Sequence, residues 1–332
     1  MFKYFLSTIS LLVVVFMVFL FWGSSGWMNQ EDYFRVKVLN DQFKTYQPGD
    51  TLTVTTFNLG YFSGMTNNLP VERDQNLFDN NQQKAIELFQ NNPSDFIGFQ
   101  EIDYQSKRSG YINQSGTLQK ALDFPNTYES VNWDKQYVPF PYWPLTRQFG
   151  KMSSGQALFS KFKILNADTK VLQKPINAPF YYNKFYLDRQ IQIVQVQLGN
   201  DTLCLMNLHL EAFDKETRVL QANVVDSLFK VYSELWPTLI IGDFNSVPDY
   251  VDSTDAMSKI LTIEHIGSAI SQKQYSQSTH LHFTFNSSKP DRMIDYILYD
   301  QRKITPVSAK VLRDAGEISD HFPVRMKFVI NH

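Results

Sequence analysis

Several short apolar runs end in a polar or ionisable residue at the point where a strand should give way to a loop. Asn58 closes TLTVTTFN, Glu101 closes SDFIGFQE, His209 lies near the end of TLCLMNLHL, and Asp243 and Asn245 follow TLIIG. Asp295 is flanked by Ile294 and Tyr296 inside RMIDYILY, and Asp320 and His321 stand at the head of the last run. Taken singly, each has a structural explanation, because Asp and Asn make turns and a lone His is more often structural than catalytic. Asp295 resists that explanation. A carboxylate inside an apolar strand is costly unless paired, and a histidine is its natural partner.

As a set, these residue types define a chemistry. Hard oxygen donors such as Glu101, Asp320 and the amide oxygen of Asn58 suit Mg²⁺, with Mn²⁺ as the alternative; Mg²⁺ takes one or two carboxylates alongside substrate phosphate. Zinc fits poorly, since the chain has no H-E-x-x-H and a single cysteine. A serine nucleophile lacks its G-x-S-x-G elbow. What remains is metal-assisted attack of water on a phosphate ester, which needs charge neutralisation, an aligned water and a proton for the leaving group. Arg189, in DRQ before a strand, is either a phosphate contact or a surface or ion-paired residue. His265, His280, His282 and His332 match no motif.

These residues resemble the endonuclease/exonuclease/phosphatase superfamily, which includes DNase I, abasic endonucleases, neutral sphingomyelinases and inositol-phosphate 5-phosphatases. The matching pieces are TFNLG, GFQE, GQALFSKF, NLHLEAF, GDFN, RMIDYIL and SDHFPV, in the family's order over residues 56–324. The resemblance implies a four-layer α/β/β/α sandwich with the active site where loops from both sheets converge. It implies that Glu101 binds Mg²⁺, assisted by Asn58 and, through water, by Asp320. Asp243 would orient or deprotonate the attacking water, and Asn245 would hold it or a phosphate oxygen. His321, oriented by Asp295, would act on the nucleophile or phosphate as a charged donor. His209 would stabilise the pentacovalent transition state and could protonate the leaving oxygen. GQALFSKF and NLHLEAFD also resemble the branch containing the C-terminal domain of calcofluor-white-hypersensitive proteins, associated with GPI-anchor lipid remodelling; the multi-span N-terminal part of those proteins has no counterpart here. A non-catalytic binding module on the same fold would carry at least one broken site position, and none is broken.

These side chains need a scaffold. With 332 residues, 43% hydrophobic and 15% aromatic, the chain can bury a large core, and its composition excludes disordered, collagen-like and disulfide-scaffold classes. Strand signals recur at 51–58, 94–101, 155–160, 189–198, 202–210, 238–245, 292–299 and 321–330. Helical patterns fall at 77–90 and 214–231, the second opened by Asp214. Strands separated by turns or by helices predict a mixed α/β layered domain over 51–332. Residues 23–50 read as a connector, with a hairpin between its alternating Phe34-Val36-Val38 and the run at 51–57 leaving a tether of about ten residues. Segment 133–149 interleaves Trp133, Tyr137, Phe140, Tyr142, Trp143 and Phe149 with three prolines, and reads as a long aromatic loop that either folds under as a satellite core or meets substrate or a membrane interface. Cys204, between two leucines, reads as core.

From Phe5 to Trp22 the chain is uncharged and apolar, approaching the roughly 20 residues that cross a bilayer. A spanning anchor is the reading, against a cleaved signal peptide or a buried soluble helix. Lys3 before it and Glu31 and Asp32 after it put residues 1–4 in the cytoplasm and the catalytic domain outside, as a single-pass membrane protein. Lys3 is the only charge in the first 30 residues, so the remainder carries 30 basic and 33 acidic groups. That balance offers no footprint for nucleic acid, whereas the anchor and aromatic segment favour a lipid phosphate ester. An extracytoplasmic nuclease is the alternative, and no protein partner is predicted.

Overall fold

The computed structural model describes residues 2–331; Met1, in the predicted cytoplasmic stub, and His332, at the end of the predicted catalytic domain, lie outside the described residues. Strands form at β1 (Phe34–Val38), β2 (Leu52–Asn58), β3 (Phe96–Asp103), β4 (Asn126–Val138), β5 (Gly150–Ser160), β6 (Ile164–Val171), β7 (Gln190–Leu198), β8 (Asp201–His209), β9 (Thr238–Asp243), β10 (Ile266–Ser268), β11 (Asp295–Asp300), β12 (Ile304–Val311) and β13 (Val324–Ile330). They make two mixed sheets, one in the order β1-β4-β5-β3-β2-β13-β12 and one in the order β10-β11-β9-β8-β7-β6. The central strands β2 and β9 are buried at every residue, as expected for strands covered on both faces. β13 nearer an edge alternates instead.

Helices cover the outer faces. In α2 (Gln75–Asn91), Phe89 meets Phe57 and Phe99 of the seven-stranded sheet at 6.2 and 5.5 Å. A short α3 (Gln114–Ala121) joins it there. On the six-stranded sheet lies α5 (Lys215–Leu235), whose Asp214 cap accepts from the amides of Glu216 and Thr217. The two sheets face each other through an apolar core and a run of buried amides: Gln100 donates to Asn207 at 2.5 Å, Asn207 to Gln192 at 2.8 Å, and Gln190 to Ser130 at 2.7 Å. These hydrogen bonds offset part of the burial cost, Gln190 Oε1 being left without a partner, and they fix how the sheets sit face to face just below Glu101 and His209. The result is a DNase I-like α/β sandwich. Cys204 is buried in its core.

Two expectations change. The aromatic segment 133–149 is not one loop, because β4 continues to Val138 and pairs Trp133, Asp134 and Lys135 with Ser154, Ser153 and Met152. The prolines lie beyond these pairs, so they shorten the loop to 139–149. Trp133, Val138, Phe149, Met152 and Leu187 form a satellite core with Phe140 against it, while Tyr142, Trp143 and Leu145 remain exposed. Nor does β1 form a hairpin with β2: it pairs antiparallel with β4 at the sheet edge. The first helix, α1 (Phe2–Ser24), is long and apolar enough to cross a membrane, and most of its side chains are exposed.

Candidate active site

Parallel pairing of β2 with β3 and of β8 with β9 brings four strand ends to one edge of the sandwich. Asn58 and Glu101 end the first pair, His209 and Asp243 the second. β11 runs antiparallel to β9 and begins opposite its end, setting Asp295 against Asp243. The turn before β13 arrives at the same edge, where the Ser319 hydroxyl donates to the Asn58 carbonyl at 2.8 Å and carries Asp320 and His321 with it. Arg189, just ahead of β7, is delivered beside His209 by the pairing of Gln190 with His209. Glu101 and Asn245 both have left-handed backbone, at φ 49° and 51°. Such strain in non-glycine residues persists only where the surroundings impose it, and it concentrates at functional sites.

Asp243 is the hub. Its Oδ2 accepts from Asn58 Nδ2 at 2.9 Å and its Oδ1 from the Asn245 amide at 2.9 Å. His209 Nε2 lies 3.4 Å and His321 Nε2 3.8 Å from Oδ2. Burial first, and then Asp295, push the Asp243 carboxyl up to about 7, against the pull of His321 and its hydrogen bonds. His321 Nδ1 pairs with Asp295 Oδ2 at 2.9 Å. Burial alone would lower the His321 pKa, but Asp295 and Asp243 outweigh it and raise it to about 10, so this imidazole is charged at neutral pH.

His209 has the opposite character. Burial, then Arg189 and His321, hold it well below 6.5. Arg189 Nη1 sits 2.6 Å from its Nε2, and because a guanidinium can only donate, Nε2 is the accepting nitrogen. A neutral imidazole with Nε2 so engaged has no proton there for a leaving oxygen. Arg189 is buried rather than at the surface, with Nη2 donating to the Tyr186 hydroxyl at 3.2 Å and Nε 3.5 Å from Glu211 Oε2. Burial opposes its charge, but Tyr186 and Glu211 raise its pKa further.

The donor set fits a divalent cation. Glu101 Oε2 accepts from Asn67 Nδ2 at 2.9 Å, and Oε1 lies 3.9 Å from His209. Burial and the neighbouring Asp320 charge push the Glu101 carboxyl up, a crowding of hard anionic oxygens that a cation relieves. Asp243, Asp295 and His321 also bring ligand atoms within 4.8 Å of one another. In that group His321 Nδ1 is already engaged by Asp295 Oδ2, while Glu101 and Asp320, the carboxylates expected at the metal, crowd each other close by. The Asn58 amide oxygen, expected at the metal, accepts from the Gly60 amide at 3.0 Å, while its nitrogen donates to Asp243.

Sequence reasoning missed Tyr186, Glu211 and Asn67. The Tyr186 hydroxyl donates to Glu211 at 2.8 Å, and the only hint was a carboxylate two residues past His209 in an otherwise apolar run. Asn67 comes from a loop with no signal at all.

A two-sheet sandwich that gathers carboxylates, amides and imidazoles at converging strand ends is the DNase I-like architecture, whose members hydrolyse phosphate esters. The sequence matches the Endonuclease/Exonuclease/phosphatase family over residues 55–321, and the chain belongs to that family. Its fold is similar to that of a family protein from Bacteroides thetaiotaomicron, with a TM-score of 0.59 at 18% identity over 86% of this chain and 100% of that one. D. rerio TDP2 complexed with single-strand DNA product gives 0.57 at 16% over 84% and 99%. The B. thetaiotaomicron mannosyl-6-phosphatase Bt3783 gives 0.57 at 18% over 84% and 99%. No curated protein matches the chain at a significant level.

Proposed function

We propose that the chain is a membrane-anchored, Mg²⁺-dependent phosphodiesterase acting on lipid head groups, single-pass with its catalytic domain on the extracytoplasmic side. The observation that carries this reading is one buried cluster holding a carboxylate, an imidazolium and a guanidinium at the end of the sandwich from which α1 departs. Held by Glu101 and Asp320, Mg²⁺ would neutralise phosphate charge and polarise the ester. Asp243, steered by Asn58 and Asn245, aligns the attacking water and takes its proton; a carboxyl near 7 suits a base at neutral pH. His321 and Arg189 donate to the phosphate as it gains charge. His209 holds Arg189 in place rather than giving up a proton, and Glu211 and Tyr186 hold the same guanidinium from its other side.

The lipid preference rests on the anchor and on a mildly acidic domain without a basic footprint for nucleic acid. Full-length protein in phospholipid vesicles with Mg²⁺ should hydrolyse sphingomyelin or phosphatidylinositol faster than plasmid DNA or a sugar phosphate, and EDTA should stop it. Turnover of DNA alone, or of the monoester alone, would refute the lipid reading. A reporter fused after His332 that is active only in the cytoplasm would overturn the orientation.

A further inference from the structure

We propose that α1 and the catalytic domain form one rigid unit that presses the rim of the active site against the bilayer α1 spans. The 139–149 loop and α4 (Phe180–Phe185) would be buried in the lipid interface. This rests on reading α1 as a membrane span, and it deepens the lipid reading of the site.

The connection between helix and domain has no slack. Leu20 is 1% exposed, whereas Val18 and Phe21 are 63% and 57% exposed. Phe19 lies 5.9 Å from Tyr137 and 6.0 Å from Phe185, and Trp22 stacks on Tyr137 at 6.3 Å. Gly23 permits the close approach, since a Cβ there would come within 3.2 Å of the Phe185 ring. Beyond the helix, Lys135 Nζ donates to the Ser24 carbonyl at 3.1 Å and the Gln136 amide to Ser25 at 2.8 Å. The Asp134 carboxylate then takes the Trp27 and Met28 amides and the Tyr33 hydroxyl, the last at 2.6 Å. Residues 24–28, at the start of the expected connector, are therefore held against the domain.

These contacts also give direction. As they retreat toward the N-terminus, from Met28 to Ser24 at the end of α1 and on to Phe19 within it, they advance along β4, from Asp134 through Lys135 to Tyr137. The helix leaves the domain the way β4 runs. β4 is antiparallel to β5, and β5 to β3, so β4 points to the same end as the strand that carries Glu101. The 139–149 loop follows directly on the end of β4 that carries Tyr137, the α1 contact.

The side chains at this end suit a lipid interface, where Trp and Tyr are favoured. Tyr142, Trp143 and Leu145 of the loop are 68%, 75% and 62% exposed, and Phe180 and Tyr181 of α4 are 64% and 51% exposed. Phe213, 78% exposed, stands two residues past Glu211, which accepts its amide at 3.0 Å. The link to the chemistry is one residue long: Phe185 touches the anchor, and Tyr186 bonds Arg189 and Glu211. A head group lifted slightly from the bilayer would meet the site without the domain moving.

Depth quenching tests this without any turnover. Full-length Trp143→Cys and Phe180→Cys proteins, labelled with an environment-sensitive fluorophore, would be reconstituted in phosphatidylcholine vesicles with or without doxyl-labelled lipid. The native Cys204 is buried and should stay unlabelled. Val307→Cys, in the bulge of β12 at the opposite end, is the control. Both rim labels should be blue-shifted and quenched several-fold more than the control. Quenching equal to that at Val307 for both positions would overturn the proposal. Strong rim quenching in a protein that cleaves only DNA would keep the docking and discard the lipid substrate.

Discussion

His209 and His321 flank the same Asp243 oxygen, at 3.4 and 3.8 Å, yet one is neutral and the other charged. The difference lies in their second neighbours: a guanidinium beside His209, and the Asp295 carboxylate beside His321. Asp295→Asn should therefore lower the pKa of His321 and move the alkaline limb of the rate profile, expected near about 10 in the parent protein, to lower pH. An unmoved limb would show that His321 does not carry the charge used in the reaction. The strand-end residues were legible because each interrupts an apolar run, and the buried Asp295 announced its need for a cation. What each side chain addresses was not legible. The turn of the Asn58 amide toward Asp243 and the grip of Glu211 on Arg189 depend on contacts across 185 and 22 positions of chain.

At the scale of elements, the apolar central strands could be placed from the sequence because burial on both faces leaves a continuous hydrophobic signature. β4 was missed, with its residues from Trp133 onward read as part of an aromatic loop, because polar and aromatic residues alternate with little pattern there and its partner β5 is what turns them into strand. β6 and β12 were missed because edge strands with exposed residues carry little alternation to read. The same β4 extension holds the chain that leads in from the helix. Asp134→Ala would leave the Trp27 and Met28 amides without their buried acceptor, at a cost of about 1–3 kcal/mol. Thermal unfolding should shift down, and limited proteolysis should open the chain between Ser25 and Tyr33 first. Cleavage there as slow as in the parent protein would contradict the clamp.

For the whole molecule, composition and charge separated an apolar N-terminal segment from one large folded region, and the ordered motifs indicated how that region folds. They could not show that the segment is seated on the fold, because the contact of Phe19 with Phe185 joins residues with no common pattern. The central claim is that a metal-dependent phosphodiesterase works through this cluster. Hydrolysis of bis-p-nitrophenyl phosphate by the full-length protein, with Mg²⁺ and with EDTA, tests it most directly when the parent protein is compared with Glu101→Ala and His321→Ala. The expected result is activity abolished by EDTA and reduced by about 100-fold or more in each variant, with unfolding temperatures near that of the parent. Activity indifferent to EDTA and to both substitutions would contradict it.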